Sequence, residues 1–103
     1  MVYASGLSEL AGSWRHPAPW DSDDYLAEYT ISVVDGCPVV SAHDLQDGEE
    51  FVISQVSWDG KTLRFRSLMP STGREGLNEF CISPSGALQS RFTFTVVEEF
   101  HRV

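Results

Sequence analysis

Basic residues are scarce in this chain: seven Lys and Arg stand against fifteen Asp and Glu, a net charge of −8 over 103 residues. A nucleic-acid backbone or a polybasic-binding membrane surface needs a cationic face, so neither partner is expected. No apolar run approaches the roughly 20 residues that a membrane-spanning helix requires. Residues 1–10 have neither the basic flank nor the apolar centre of a secretory leader, which reads as a cytoplasmic protein. Cysteine is nearly lacking too. Cys37 and Cys81 lie far apart with no Cys-x-x-Cys or Cys/His spacing, so they read as two separate thiols, with a disulfide left open. The three histidines, His16, His43 and His101, fall on different segments, and no metal site is expected from them. There is no Gly-x-Ser-x-Gly elbow to frame a nucleophile. The acidic pairs Asp23-Asp24 and Glu98-Glu99 lack the loop spacing of a calcium site. No cofactor is expected.

What the chain has instead is turn chemistry. Asp35-Gly36, Asp47-Gly48 and Asp59-Gly60 recur every twelve residues, each between β-rich segments. Asp-Gly suits a two-residue type I′ hairpin, because both central residues take φ > 0 and Gly does so without steric cost. Strands are therefore expected at 10–16, 25–34, 37–45, 51–58, 61–69, 77–83 and 87–97, with residues 98–103 either extending the last or forming an eighth. Period-two alternation supports the assignment: Ala27, Tyr29, Ile31 and Val33 oppose Glu28, Thr30 and Ser32. Leu63, Phe65 and Met69 oppose Thr62, Arg64 and Arg66, and Leu88, Phe92, Phe94 and Val96 oppose Gln89, Arg91, Thr93 and Thr95. The fourth strand leaves its phase open, since Val52, Val56 and Trp58 face Phe51 and Ile53. Residues 70–76 read as a loop. Leu7 and Leu10 suit a short helical turn that plugs one end of the structure. One all-β domain over 1–103 is expected: seven or eight antiparallel strands in an up-and-down meander, curled into a small barrel because closure removes exposed edges.

The segment Gly12-Ser13-Trp14 is similar to the Gly-x-Trp signature that opens the first strand of calycins, the lipocalin and fatty-acid-binding-protein group. The ending Phe100-His101-Arg102 looks like the aromatic-x-basic ending of fatty-acid-binding proteins. The resemblance implies a calycin-like meander barrel with Trp14 covering its base, and Arg102 or Arg91 stacked on that indole. It also implies a lipocalin-like carrier that holds a small, partly apolar ligand. The helical lid of fatty-acid-binding proteins is missing, and a Pro-rich acidic loop, 17–24, stands in its place.

Candidate ligand-binding residues follow from the pattern. Tyr29 and Phe65, together with Phe94, are expected to line an interior cavity, and Trp20, Tyr25, Trp58 and Met69 to rim its mouth. Arg64 and Arg66 share one strand face. If that face is interior, their guanidiniums hold a carboxylate; if exterior, they form cross-strand pairs with Glu49, Glu50 or Glu79. The alternative function is a protein-interaction module, or a homodimer, acting through the acidic loop 17–24 and a strand edge. An enzyme using Glu28, Glu79 or a His as acid–base group is the third reading.

Overall fold

A computed structural model describes residues 6–15, 27–95 and 99–103. Seven antiparallel strands follow one another: β1 (Gly12–Arg15), β2 (Ala27–Val34), β3 (Cys37–Asp44), β4 (Val52–Trp58), β5 (Leu63–Met69), β6 (Arg74–Ile82) and β7 (Leu88–Thr95). Every strand pairs with its neighbour in sequence, but the meander divides into two sheets, β1-β2-β3 and β4-β5-β6-β7. A single bridge, His43 to Glu50, joins them at the β3–β4 corner. Among the described residues β1 and β7 do not pair, so the two sheets are seen there as an open curl and closure into the expected barrel is not detected.

The turns explain the register. Asp35 and Gly36 both have positive φ (53° and 77°), and Val34 pairs directly with Cys37, giving the expected two-residue hairpin. The other two Asp-Gly sites are hairpins of a wider kind. At each, an Asp carboxylate caps the loop: Asp44 accepts the N–H of Gln46 at 2.6 Å, and Asp59 accepts those of Lys61 at 2.9 Å and Thr62 at 2.7 Å. An Asx cap and one Gly at positive φ turn the chain where a second left-handed residue is not used.

Two boundaries differ from the pattern reading. The phase of β4 changes within the strand. Gln55 sits at φ 53° and the pairing with β5 slips between Ser54 and Ser57. Phe51 and Ile53 therefore face inward before the bulge, and Trp58 does so after it. A bulge sets two residues against one, which is why neither face looked more apolar. The loop expected at 70–76 is shorter, because β6 begins at Arg74 and Gly76 lies inside it. A Cβ at Gly76 would lie 2.5 Å from the Phe92 ring and 2.7 Å from the Thr93 carbonyl oxygen. Gly is there so that an aromatic ring on the neighbouring strand can cover the backbone.

The core sits between the sheets. Ala27, Tyr29, Ile31, Val40 and Ala42 come from the three-stranded sheet, and Leu63, Phe65, Met69 and Phe80 from the four-stranded one. Tyr29, Phe65 and Phe80 form an aromatic trio with ring centroids 5.1–5.7 Å apart, Phe80 edge-to-face with both others and Tyr29 tilted against Phe65. One buried polar chain crosses this core. Tyr29 donates to Asn78 Oδ1 at 3.3 Å, and Asn78 Nδ2 donates to Ser67 Oγ at 2.9 Å. At one end the N-terminal helical turn (6–8) inserts Leu7 and Leu10, both fully buried, as its spacing suggested.

Candidate functional site

The open side of the curl is where a site forms. Because β1 and β7 are both terminal strands of their sheets, their edges leave a cleft of about 330 Å³ between them. Its walls are Trp14 and Ala27 on one side, Leu88 and Ala87 on the other, with Tyr29 and Phe80 as its floor. The alternation of β2, β6 and β7 aims these side chains inward. The cleft is of the size that small-molecule sites begin at, about 300 Å³, and is mainly apolar as such sites are.

Trp14 is half-buried against the core, and its indole N–H donates to the Leu10 carbonyl at 2.8 Å. The bond ties β1 to the N-terminal turn and fixes the indole as a wall of the cleft. Arg91 faces the outer groove of the four-stranded sheet, away from this wall, and Arg102 is exposed. Arg15 reaches the rim of the cleft. Its Nε and Nη2 both donate to Glu28 Oε1, at 3.0 and 2.6 Å. Glu28 in turn lies 3.5 Å from His43 Nε2. Two of the five guanidinium N–H groups are thus engaged there, and among the described residues the Nη1 side has no hydrogen-bond partner.

The candidate residues named from the sequence scatter. Tyr29 is in the cleft floor. Phe65 is fully buried within the aromatic trio and lines no cleft. Trp58 is half-buried outside the cleft, beside Gly6, Leu10 and Ile82, and among the described residues its indole N–H has no hydrogen-bond partner. Arg64 and Arg66 lie on the outer face, the exterior of the two placements considered. Arg64 bridges Asp59 at 2.7 Å and Glu79 at 3.1 Å; Arg66 bonds Gln55 at 3.1 Å and lies 3.8 Å from Glu75. Glu79 is one of the expected partners. The two N–H groups of Thr62 and Lys61 and the Arg64 guanidinium hold the Asp59 carboxyl far below the ordinary carboxylate range, the Thr62 bond contributing most. Asp59 and then Glu79 raise the Arg64 guanidinium above its ordinary value. Trp20, Tyr25 and the acidic loop 17–24 lie outside the described residues.

Arg15 and Leu88 were not singled out in the sequence. Only the failure of β1 and β7 to pair brings them to one opening, and no spacing signal reports that. Cys37 is exposed at the start of β3 and Cys81 is half-buried on β6; both are free thiols. Among the described residues no three His, Cys, Asp or Glu side chains converge as a metal set. None of the described helices is long and apolar enough to cross a membrane. No family model, curated protein or solved structure matches the chain.

Proposed function

We infer that the protein is a small, non-enzymatic binder that takes one largely apolar ligand with an anionic end into the cleft between β1 and β7. The observation that carries this reading is the cleft itself: about 330 Å³ of space walled by Trp14, Tyr29, Phe80 and Leu88, with Arg15 among the residues that line it. Apolar walls reward a flat or branched hydrocarbon body by removing it from water. Arg15 supplies orientation, since a carboxylate at its Nη1 side adds a charge-assisted bond without displacing Glu28. The reading keeps the calycin-like comparison in a reduced form: a meander opening on Gly12-Ser13-Trp14, holding its ligand at an unclosed seam rather than in a deep barrel.

A thermal-shift series with aromatic and fatty monocarboxylates tests it. A ligand at a hundred times its Kd stabilises the fold by about 2.7 kcal/mol, a readily measured rise in Tm. Leu88→Trp should fill the cleft and remove the rise. Arg15→Met should remove it for acids and spare neutral analogues of the same body. No rise for any compound, or a rise that survives Leu88→Trp, overturns the reading.

A further inference from the structure

Three features meet at the β7 edge. The first is the edge itself, which among the described residues has β6 as its partner on one side and no strand on the other. The second is the apolar cleft that the inward residues of β7 border through Leu88 and Ser90. The third is a groove of about 500 Å³ on the outer side, where three cations, Lys61, Arg64 and Arg91, gather around one carboxylate, Glu79, with Gln89 and Ser90 beside them. Lys61 and Arg91 have no carboxylate partner among the described residues. Ser90 lines both spaces, so it marks the line along which an added strand would run. A strand lying there points alternate side chains to opposite faces: one set into the apolar cleft, the next onto the cationic groove.

The chain carries a segment of that character. In the tail, 99–103, Phe100 is 89 % exposed, and Glu99 beside it is exposed as well. Phe51, Phe65 and Phe80 are all buried, so an aromatic left wholly in water stands out. Residues 99–103 belong to no helix or strand and make no described backbone hydrogen bond to their own β7. Folding back onto that strand would need a tight turn within Val96-Val97-Glu98. That sequence holds no Gly, Asn, Asp or Pro, and β-branched residues resist the positive φ of hairpin turns. The sequence of this link carries no turn signal, and two molecules can satisfy edge and tail by exchanging them.

We propose that the protein forms a two-fold dimer in which the 99–103 tail of each copy adds as an antiparallel strand to the β7 edge of the other. Placing Phe100 beside Ser90 puts the ring in the cleft and sets Glu99 opposite Arg91. The parallel alternative would set His101 there instead, with no opposite charge to meet Arg91 at neutral pH. Both contacts are repeated by symmetry, so each copy gives one tail and receives one, and the assembly closes at two. Phe100 and a small ligand share the cleft, so the test uses protein stripped of ligand and does not depend on the ligand reading.

Sedimentation equilibrium over a concentration series decides it. Wild-type protein should be a reversible dimer. Phe100→Ser, which alters only an exposed tail residue and leaves the core untouched, should raise the dissociation constant at least about tenfold, as loss of a buried aromatic anchor does. Arg91→Glu and Glu99→Arg should each weaken the dimer, and the two together should restore it, because the pair is rebuilt with its signs exchanged. A monomer throughout the series overturns the proposal, including a monomer whose Tm falls on Phe100→Ser, the mark of a tail folded onto its own sheet. A dimer indifferent to Phe100→Ser, or a charge exchange that fails to restore association, overturns it too.

Discussion

The three-stranded and four-stranded sheets differ in what each turns inward and in what each shows to water. Inward, β1–β3 contribute mainly small and mid-sized residues, Ala27, Ile31, Val40 and Ala42, with Tyr29 and the half-buried Trp14 as the large exceptions. The sheet of β4–β7 contributes Leu63, Phe65, Met69 and Phe80, and its β5 alternates buried and half-buried without a break. Outward, the contrast is one of charge. Residues 51–95 hold five of the seven Lys and Arg (61, 64, 66, 74 and 91) and only three carboxylates (59, 75 and 79), a net +2. The rest of the chain therefore carries the remaining −10. The overall acidity that argued against anionic partners is a property of one part of the sequence, the residues outside 51–95. A cationic groove can exist on the other, bordered by the edge strand to which an acidic tail is proposed to add.

The sharpest way to break the comparison is through the large residues. Phe65→Ala should cost ~3–5 kcal/mol, since it empties the centre of the aromatic trio, whereas Ile31→Val should cost only ~0.5–1.5 kcal/mol. Urea unfolding of the two variants measures both, and equal losses would show that the sheets share the core evenly. Gly76→Ala should come next, at ~1–3 kcal/mol or more, as overpacking does. A second change, Phe92→Ala, should recover only part of the loss. The ring can be removed, but the Thr93 carbonyl 2.7 Å from the new methyl stays in place.

These positions also show how far the sequence could be read. Asp35-Gly36 determines its hairpin locally, and the strict alternation of β2, β5 and β7 names their inward faces. Such features are written in neighbours a few residues apart. The bulge at Gln55 is not: Ser54 to Ser57 look like ordinary strand residues, and only pairing with β5 reveals the slip. Gly76 looked like loop because the reason for it, the Phe92 ring, lies on another strand. The site suffered most from this non-locality. Phe65 and Tyr29 carry the same apolar signal, yet one is sealed in the core and the other floors the cleft. Arg15 and Leu88 belong to the cleft solely because the first and last strands end their sheets without meeting.

Where the sheets are tied together the expected effect is smaller. Tyr29→Phe removes the hydroxyl that reaches from the three-stranded sheet to Asn78 in the other, keeping the ring stack. The loss should be about 0.5–1.5 kcal/mol, the net value of one hydrogen bond, and larger if Asn78 Oδ1 finds no new donor. Urea unfolding of the single variant measures it. Pairing it with Ser67→Ala then tests whether the buried polar chain acts as a unit, since coupled members give less than the sum of their separate losses.

Asp59 offers the smallest effect at neutral pH and the clearest one in acid. Its side chain caps the β4–β5 loop through the N–H groups of Thr62 and Lys61 and bridges to Arg64 on the outer face. These contacts all favour the carboxylate, so its folded pKa lies well below the ordinary carboxylate range. A depressed carboxylate pKa means that the unfolded chain binds the proton more readily than the folded one. The stabilisation is thus fully present above the unfolded value and is lost progressively as pH falls below about 4 toward the folded value. Asp59→Asn keeps an oxygen acceptor for the loop N–H groups but has no charge to lose. Its Tm should lie slightly below wild type at neutral pH, because the bridge to Arg64 is gone, and should fall less steeply on acidification. The two melting curves should therefore converge in acid. If Asp59→Asn instead runs parallel to wild type through the acid range, the cap draws its strength from geometry alone, and the outer face of the four-stranded sheet owes nothing to charge at this corner.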